Sequence, residues 1–538
     1  MITGADAIIR SLENEGVEVI FGYPGATVCP LYDKLSNSNI KHILVRHEQH
    51  AGHEASGYAR IKKKPGVCIT TSGPGALNLI TALGTAYMDS VPLVAITGQV
   101  SSELLGRDVF QEADITGASE SFTKYSYLVK NVADIPRIIK EAFHIASTGR
   151  PGPVLIDIPV NIQKEKLDYY YPDKVDLRGY KPTTKGHIGQ IKRVTRAINN
   201  AKKPLICVGG GIFAADAQEV FREFVEKVNI PVVSTMMGIG TLPTSHPLYM
   251  GMVGMHGRTV ANRSIIESDL LIIIGARVSD RAMLLPANIE KNTKIVHMDI
   301  DPAEIGKNLN TFIPVVGDAK HILEQILQVG PEQKDDEWIN ALQERKRKNI
   351  PDYDNRAHGI NPKAFINMLS KKLPDDYIYC ADVGQNQIWS AINCDIREGR
   401  FLTSGGMGTM GYSVPAAIGA KFAAPDKTVV AVCGDGSFQM QMMELGTICQ
   451  HNVDVKIVVM NNAKLGLVCE IQKNSYRNNQ VAVDLSGSPE VTTIAAAYGI
   501  PTKRLTSMEQ AEEAIEEMLA SEGPFLLECI VNDAETSV

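Results

Sequence analysis

The sequence lacks an excess of positive charge. Its 54 lysines and arginines are outnumbered by 61 aspartates and glutamates, which gives a formal net charge of −7. A protein that binds DNA or RNA presents a basic patch to the phosphates. We therefore expect no nucleic acid as a partner.

Long hydrophobic runs are also missing. The longest apolar stretches, such as Leu270–Ile274, have the length of a strand and fall far short of the roughly 20 residues that span a membrane. The N-terminal residues show neither a charged-then-apolar signal pattern nor an Arg/Ser-rich transit pattern. We expect a cytoplasmic protein without a membrane partner.

Paired cysteines are absent as well. Nine cysteines are scattered singly, without a CxxC spacing, and several of them lie in apolar segments (Cys68, Cys207, Cys433, Cys529). This usage is typical of small core residues in a reducing compartment, and it excludes a disulfide scaffold.

What the chain does contain is a regular alternation of β-branched apolar runs and helix-period segments. This pattern predicts an α/β protein with doubly wound, mainly parallel sheets. With 538 residues the chain is too long for one core. Two polar, proline-containing segments at 164–187 and 331–362 read as linkers, the second with a short helix inside it. They predict three domains, at 1–165, 185–330 and 360–538.

The segment VCGDGS and the later pair Asn461-Asn462 are the most informative motif. Each follows an apolar run that predicts a buried strand. If the strands are neighbours in a parallel sheet, Asp435 and Asn462 meet at one edge, where ligands bind. Two hard oxygen donors suit Mg²⁺ that carries a diphosphate. The alternative for GDG alone is a glycine-flanked turn, but the second strand with its asparagine pair favours the metal site.

Further polar residues follow strands in the first third of the chain. Glu48 ends the strand-like segment HILVRHE at 42–48, in a position suited to proton transfer. The nearby His47, His50 and His53 do not form HExxH, so we read them as surface histidines rather than a zinc site. The segment SGPGALN reads as a turn that opens a helix, and the loop 106–114 carries Phe110 and Gln111 as a substrate wall or a packed loop.

The middle third has the strand-and-glycine pattern of dinucleotide domains, as in PLICVGGG and LLIIIGARVSDR. It lacks the GxGxxG fingerprint. The one literal match, 406–411, has no acidic partner about twenty residues further on, and we judge it a false positive. A nucleotide cofactor is the expectation for this domain.

Together these motifs resemble a known family. VRHEQ, SGPGALN, FQEAD, GMHG, DPAEIGKN, GGMGTMG and GDGS with its asparagine pair are similar to the thiamine-diphosphate (ThDP) enzymes and, among them, to the acetolactate synthase family, over nearly the whole chain. The resemblance implies the ThDP-binding fold of the pyruvate oxidases and decarboxylases. It also implies decarboxylation of pyruvate and transfer of the hydroxyethyl unit to a second 2-oxoacid, giving 2-acetolactate for branched-chain amino-acid biosynthesis.

The resemblance also implies a set of site residues. Glu48, Phe110 and Gln111 would be catalytic, with Phe110, Leu467 and Ile471 lining the substrate, and Mg²⁺ would be held by Asp435, Asn462 and Lys464. ThDP would contact Pro24, Gly25, Pro74, Asn78, Gly384, Gln385, Asn386, Gly408, Met410, Gly436, Ser437, Gly466 and Leu467. FAD would contact Gly209, Gly210, Met255, Arg277, Arg281, Asp299 and Asp318.

Partners follow from the same resemblance. The family's site combines the first domain of one chain with the third domain of another, so a homodimer or homotetramer is expected. A small regulatory subunit is a further partner that the resemblance allows. The substrate is a small 2-oxoacid.

Departures from the family pattern leave alternatives open. Leu467 and Ile471 replace a methionine and a tryptophan at the acceptor side, Val160 replaces a lysine, and Asn386 replaces a histidine. A pyruvate oxidase or another 2-oxoacid decarboxylase is the alternative within enzymes, although oxidases commonly carry Glu-Gln where this chain has Ile-Gln. A non-catalytic homologue would be expected to lose Glu48 or the metal ligands, and all are present.

Overall fold

Three parallel sheets organise the chain. The structure is a computed structural model that describes residues 1–284, 286–348, 353, 359–532 and 535–537. These residues form three six-stranded parallel sheets and one two-stranded antiparallel pair. Each large sheet has a separate hydrophobic cluster on either face. The predicted α/β class with doubly wound parallel sheets is confirmed.

The first sheet is built from the N-terminal residues. The strands are β1 (Ile2–Thr3), β2 (Val19–Tyr23), β3 (Lys41–Leu44), β4 (Gly66–Thr70), β5 (Leu93–Gln99), β6 (Tyr125–Leu128), β7 (Pro153–Pro159) and β8 (Lys166–Leu167). The helices are α1 (Gly4–Asn14), α2 (Cys29–Leu35), α3 (Glu48–Lys62), α4 (Pro74–Asn78), α5 (Ile80–Met88), α6 (Ile115–Ser119), α7 (Ile135–Ser147) and α8 (Val160–Lys164). The sheet order is β3-β2-β4-β5-β7-β6, and β1 pairs with β8.

The middle sheet follows the same plan. The strands are β9 (Pro204–Val208), β10 (Val232–Ser234), β11 (Tyr249–Met252), β12 (Leu270–Ile274), β13 (Lys294–Asp299) and β14 (Ile313–Val316). The helices are α9 (Ile188–Asn200), α10 (Gly211–Ala214), α11 (Gln218–Val228), α12 (Thr259–Glu267), α13 (Pro286–Glu290), α14 (Ala319–Val329) and α15 (Glu337–Lys348). The order is β11-β10-β9-β12-β13-β14.

The third sheet completes the set. The strands are β15 (Ile378–Ala381), β16 (Arg400–Leu402), β17 (Val429–Gly434), β18 (Lys456–Asn461), β19 (Thr502–Leu505) and β20 (Phe525–Ile530). The helices are α16 (Pro362–Lys372), α17 (Gln385–Asn393), α18 (Ser413–Ala423), α19 (Asp435–Gln441), α20 (Leu445–His451), α21 (Gly466–Ser475), α22 (Val491–Ala497) and α23 (Ala511–Ala520). The order is β16-β15-β17-β18-β20-β19.

Continuous apolar runs explain why the central strands form. Every residue of β12 (LLIII) and of β9 (PLICV) is buried, because helices cover both faces of a parallel sheet. Helix α1 begins with a capping box, in which Thr3 and Asp6 satisfy each other's backbone N–H groups. Because the strands of each large sheet are parallel, the polar turns that follow them lie at one edge of that sheet.

The two predicted linkers are packed against neighbouring domains. In 164–187, β8 pairs with β1. In 331–362, the predicted short helix is α15, which buries Trp338 and Leu342 in the middle domain, and Trp338 Nε1 donates to the Pro204 carbonyl at 3.2 Å. Residues 349–352 and 354–358 of this linker, and 533–534 and 538 of the third predicted domain, lie outside the described residues.

The first and third domains meet through a close helix pair. A Cβ on Gly57 of α3 would lie 2.0 Å from the carbonyl oxygen of Ala416 in α18, and a Cβ on Gly419 would lie 1.8 Å from the carbonyl oxygen of Glu54. Only glycine permits this approach at either position. Because α3 begins with Glu48, this contact fixes the site relative to the third domain. Within the described residues, no helix combines the length and apolar character that crossing a bilayer requires.

Candidate active site

The carboxyl edge of the third sheet carries two of the predicted metal ligands. β17 ends at Gly434 and Asp435 begins α19, while β18 ends at Asn461 and is followed by Asn462. The strands are neighbours, since Gly434 pairs with Met460. The parallel arrangement therefore brings both turns to one edge of the sheet.

The side chain of Asp435 has a free acceptor in a buried position. It is 4% exposed, and burial raises the pKa of its carboxyl to about 6. Its Oδ2 is buried and accepts no hydrogen bond from the described residues. Such an oxygen is unfavourable without a partner, and a divalent cation with oxygen ligands supplies one. The donor set fits Mg²⁺.

A tight turn after β18 orients Asn462. Ala463 has a left-handed φ of 54°, and its N–H donates to Asn461 Oδ1 at 3.0 Å. The Lys464 N–H donates to Asn462 Oδ1 at 3.2 Å, and Asn462 Nδ2 donates to Gln385 Oε1 at 2.9 Å. The amide of Asn462 is thereby held from two sides.

An ion pair between buried Glu528 and exposed Arg504 supports this turn, and sequence reasoning missed it. Glu528 of β20 is fully buried. Its Oε1 accepts from Asn461 Nδ2 at 2.8 Å, and its Oε2 accepts from Arg504 Nε at 2.7 Å. The one available signal was a glutamate inside the apolar run LLECI.

The end of the GGMGTMG loop is organised by Asp382, which the sequence did not single out. Asp382 is fully buried, and burial raises the pKa of its carboxyl. It accepts from the Gly411 N–H at 3.0 Å, the Ser413 N–H at 2.8 Å and Gln441 Nε2 at 3.0 Å. Since these groups lie far apart in the sequence, no local pattern reveals the contact.

The start of the same loop is held by the first domain. Asp89 accepts from the Gly406 N–H at 2.7 Å and from Arg60 Nη2 at 2.8 Å. Thr409 and Thr85 share a hydrogen bond of 2.7 Å between their hydroxyls. The loop is therefore fixed at both ends.

The predicted ThDP contacts of the third domain lie along this edge. Gly408 has a left-handed φ of 68°, and no atom lies within 4 Å of where its Cβ would be. A Cβ on Gly436 would lie 3.7 Å from Met410 Cε, and one on Gly466 would lie 1.9 Å from Gln385 Oε1. Met410 thus lies beside the GDGS turn, and a side chain at position 466 would displace the Gln385 amide.

Three further predicted contacts join the same edge. Gly384 has a φ of 132°, which favours glycine. Asn386 Nδ2 donates to the Val432 carbonyl at 3.2 Å, and Ser437 Oγ donates to the Val383 carbonyl at 3.2 Å. The turns after β15 and β17 are thereby linked.

The first domain presents Glu48 at the edge of its own sheet. Glu48 is half-buried at the start of α3, and its Oε2 accepts from Asn78 Nδ2 at 2.9 Å. A Cβ on Gly75 would lie 3.2 Å from Glu48 Oε1, and one on Gly25 would lie 2.4 Å from Thr71 Cβ. The predicted contacts Pro24, Gly25, Pro74 and Asn78 therefore lie on turns packed near Glu48.

The predicted substrate residues are open to solvent in the single chain. Phe110 is 85% exposed. Gln111 has a left-handed φ of 58° and packs against Gly73, whose Cβ would lie 2.9 Å from the Gln111 carbonyl oxygen. Helix α21 has no buried residue, and Ile471 on it, four residues after the half-exposed Leu467, is 50% exposed.

Within one chain the two halves of the site are not joined directly. Among the described residues, no hydrogen bond or ion pair joins Glu48 or Asn78 to Asp435 or Asn462. The histidines near Glu48 differ from the prediction: His50 and His53 are buried against the third domain and are not surface residues. No group of three or more His, Cys, Asp or Glu suited to a metal occurs in the described part of the chain.

The middle sheet places most of the predicted FAD contacts at its carboxyl edge. Gly209 and Gly210 follow β9, Arg277 follows β12, and Asp299 ends β13. Burial raises the pKa of Asp299 to about 6 and lowers that of Arg277. Asp318 lies at the same edge, but its Oδ1 accepts from the first N–H groups of α14 as an N-cap. This edge fits a dinucleotide.

Two predicted FAD contacts lie further out. Arg281 and Met255 are exposed, and Arg281 Nη1 lies 3.0 Å from Met255 Sδ. They form a pair of their own beside the edge.

Comparison with protein families and relatives agrees with this geometry. Thiamine pyrophosphate enzyme models match as an N-terminal TPP binding domain over 2–118, a central domain over 191–326 and a C-terminal TPP binding domain over 382–529. The acetolactate synthase large subunit of Corynebacterium glutamicum is 46% identical over 99% of this chain and 87% of its own length. The probable large subunit of Methanococcus aeolicus is 44% identical (99% and 92%), and that of Lactococcus lactis 41% (99% and 93%). The chain belongs to the acetolactate synthase family of thiamine pyrophosphate enzymes.

Membership in the acetolactate synthase family confirms the predicted relationship, the enzyme class and ThDP as a cofactor. The matched TPP binding domains contain the two sheet edges described above, with Glu48 in the first and Asp435 in the third.

Proposed function

We propose that this chain catalyses the acetolactate synthase reaction. Pyruvate is decarboxylated and its hydroxyethyl unit is transferred to a second 2-oxoacid, which gives 2-acetolactate when that acceptor is pyruvate. The observation that carries the proposal is the buried, unsatisfied Oδ2 of Asp435 beside Asn462, in a chain that also keeps Glu48. A homologue that had lost catalysis would have no reason to retain this unfavourable oxygen.

The proposed metal is Mg²⁺, held by Asp435, Asn462 and the backbone carbonyl of Lys464. The tight turn at Ala463 and the hydrogen bond from Asn462 Nδ2 to Gln385 leave the Asn462 carbonyl oriented by its neighbours rather than by water. Mg²⁺ with few protein ligands retains positions for diphosphate oxygens.

Bound ThDP supplies a nucleophilic carbon and an electron sink for decarboxylation. The protein supplies position and proton control. Glu48, held by Asn78, would hydrogen-bond a ring nitrogen of the cofactor and hold a proton there. The Gly408 carbonyl would accept from the cofactor's amino group, and Met410 would pack beneath the cofactor.

We propose a homodimer as the smallest active unit, with a homotetramer as the larger form. Phe110 is 85% exposed, and the two halves of the site are not joined within one chain, so a second chain would bring Phe110 and Gln111 to the edge that carries Asp435. The relatives are named large subunits, and we propose a small regulatory subunit as a further partner.

FAD is proposed for the carboxyl edge of the middle sheet. Half-buried Arg277 and buried Asp299, together with the Gly209-Gly210 turn, support a bound dinucleotide there.

Pyruvate is the proposed acceptor. Leu467 and Ile471 on α21 would form the acceptor wall, and a β-branched side chain offers less contact surface than an aromatic ring. We therefore expect little preference for a larger acceptor such as 2-oxobutyrate over pyruvate.

The proposal is tested with purified protein, pyruvate, ThDP, Mg²⁺ and FAD. We expect one CO₂ and one acetolactate for every two pyruvates consumed. Glu48→Gln, which preserves shape but not charge, should keep ThDP binding and lose most of the turnover. Acetaldehyde as the main product, or acetate with flavin reduction, would identify a decarboxylase or an oxidase instead.

A further inference from the structure

A buried glutamate of the third domain contacts both sides of the turn that presents Glu48. Glu444 ends the short 3₁₀ turn Met442–Glu444, between α19 and α20, and is fully buried. Its Oε1 accepts from the Arg46 backbone N–H at 2.9 Å and from His50 Nδ1 at 2.8 Å. The two donors lie two residues before and two residues after Glu48.

These hydrogen bonds fix both the strand end and the first helical turn. The Arg46 N–H precedes α3, and His50 lies in its first turn, so one carboxylate oxygen sets the angle at which the chain enters the helix. Hydrogen bonds to a charged acceptor are stronger than neutral ones. Arg46 Nη2 adds contacts to the Gly446 carbonyl at 3.1 Å and to Gln450 Oε1 at 2.7 Å. The turn that carries Glu48 is therefore attached to the domain that carries Asp435.

The neighbours of Glu444 hold its carboxylate in a fixed position. Its Oε2 accepts from Thr447 Oγ1. Glu54 lies beside it, fully buried, and burial raises the pKa of Glu54 well above its usual value, which disfavours its charged form. The charged or titratable groups that face Glu444 are thus Arg46, His47, His50 and Glu54. Removing the carboxylate would leave the Arg46 N–H and the His50 Nδ1 without their acceptor, which is unfavourable in a buried position.

We propose that Glu444 is a positioning residue for Glu48: it holds the strand-to-helix turn between Arg46 and His50 so that the Glu48 carboxylate meets the cofactor ring at the required angle. Glu444 acts through the turn and does not touch the reacting atoms. This inference rests on the proposed role of Glu48. It adds that the position of Glu48 depends on Glu444 of the third domain.

The test compares proton exchange at C2 of bound ThDP, measured by quenched-flow NMR, with the concentration of ThDP that half-saturates the enzyme. Glu444→Ala should slow exchange about 10- to 100-fold, the range expected when a catalytic group is misplaced by about 1 Å. Half-saturation should change less than about threefold, since Asp435 and Asn462 are intact. Glu444→Gln keeps an acceptor oxygen and should restore most of the exchange rate.

Thr447→Val is the matched control. It removes the Thr447 hydroxyl, which contacts Glu444 Oε2 and the Leu44 carbonyl, but leaves Glu444 Oε1 with Arg46 and His50. It should lower thermal stability without slowing exchange. If Glu444→Ala does not fold, His50→Ala removes one side of the contact and should slow exchange severalfold.

The outcomes separate the two proposals. Absence of C2 exchange in the wild-type protein would overturn the proposed function itself. Wild-type exchange with a Glu444→Ala rate within threefold of it would overturn the positioning role only. Equal losses in Glu444→Ala and Thr447→Val, in step with their stability, would show that Glu444 is structural.

Discussion

We predict that the buried carboxyl of Asp157 makes the stability of β5 and β7, next to the loop that carries Gln111, depend on pH. Asp157 of β7 is 1% exposed and accepts from Thr97 Oγ1 at 2.7 Å and Gln99 Nε2 at 2.9 Å. Gln99 Nε2 also donates to the Ala113 carbonyl at 2.8 Å, in the loop that follows Gln111. Burial raises the pKa of Asp157 from 3.8 to about 7.

The sign and size of the effect follow from linkage. A carboxyl whose pKa is raised on folding contributes its full stability below pH 3.8, and this contribution is lost as pH rises to about 7. The whole difference corresponds to about 4 kcal/mol, of which about 2 kcal/mol is lost between about pH 5.5 and 8. Asp157→Asn cannot ionise, so its stability relative to wild type should rise by about 2 kcal/mol across that interval.

Hydrogen exchange of the β5 and β7 amides measures this locally, in both proteins at both pH values. Using the difference between two pH values removes any pH-independent effect of the asparagine geometry. Thr97→Val retains the carboxyl and should lose at least as much stability as wild type over the same interval. A pH-independent difference between Asp157→Asn and wild type would refute the reasoning.

Three further predictions concern packing and the metal edge. Gly57→Ala should lower the free energy of unfolding by about 2 kcal/mol or more, because the Ala416 carbonyl belongs to the backbone and cannot move aside. Thermal unfolding should show this loss. Gly179→Ala is the control and should leave stability unchanged, since its Cβ would meet no atom within 4 Å. Mg²⁺ with ThDP should stabilise the wild type by about 2.7 kcal/mol at a hundredfold excess over Kd and raise its melting temperature accordingly. Asp435→Asn should abolish this rise, and an equal rise in both proteins would exclude Asp435 as a ligand. Arg504→Ala should cost about 3 kcal/mol, because it leaves the fully buried Glu528 carboxylate without its cation, and denaturant unfolding with no loss would contradict the ion pair.

The parts of the site that the sequence predicts are those set by strand ends. Asp435, Asn462 and Glu48 each lie within a few residues of the end of an apolar run, and parallel strands bring such residues to one edge. The same logic predicts the three parallel sheets, because fully buried strands have no polar alternation to obscure them. Residues at strand ends can therefore be predicted without knowing which distant segments contact them.

The parts that the sequence does not predict depend on contacts between distant segments. Asp382 meets Gly411 and Gln441, and Glu444 meets Arg46, at separations for which no local period exists. The buried state of His50 has the same origin. A histidine at a polar helix start is predicted to be exposed, and only the contact with Glu444 of the third domain shows that it is buried. Tertiary packing decides these positions.

The most direct test of the central claim is the product formed from pyruvate labelled with ¹³C at C2. The protein with ThDP, Mg²⁺ and FAD should give acetolactate in which two carbons carry label, seen as two coupled ¹³C signals in the NMR spectrum. Singly labelled acetaldehyde or acetate as the main product, with no doubly labelled acetolactate, would contradict the assignment.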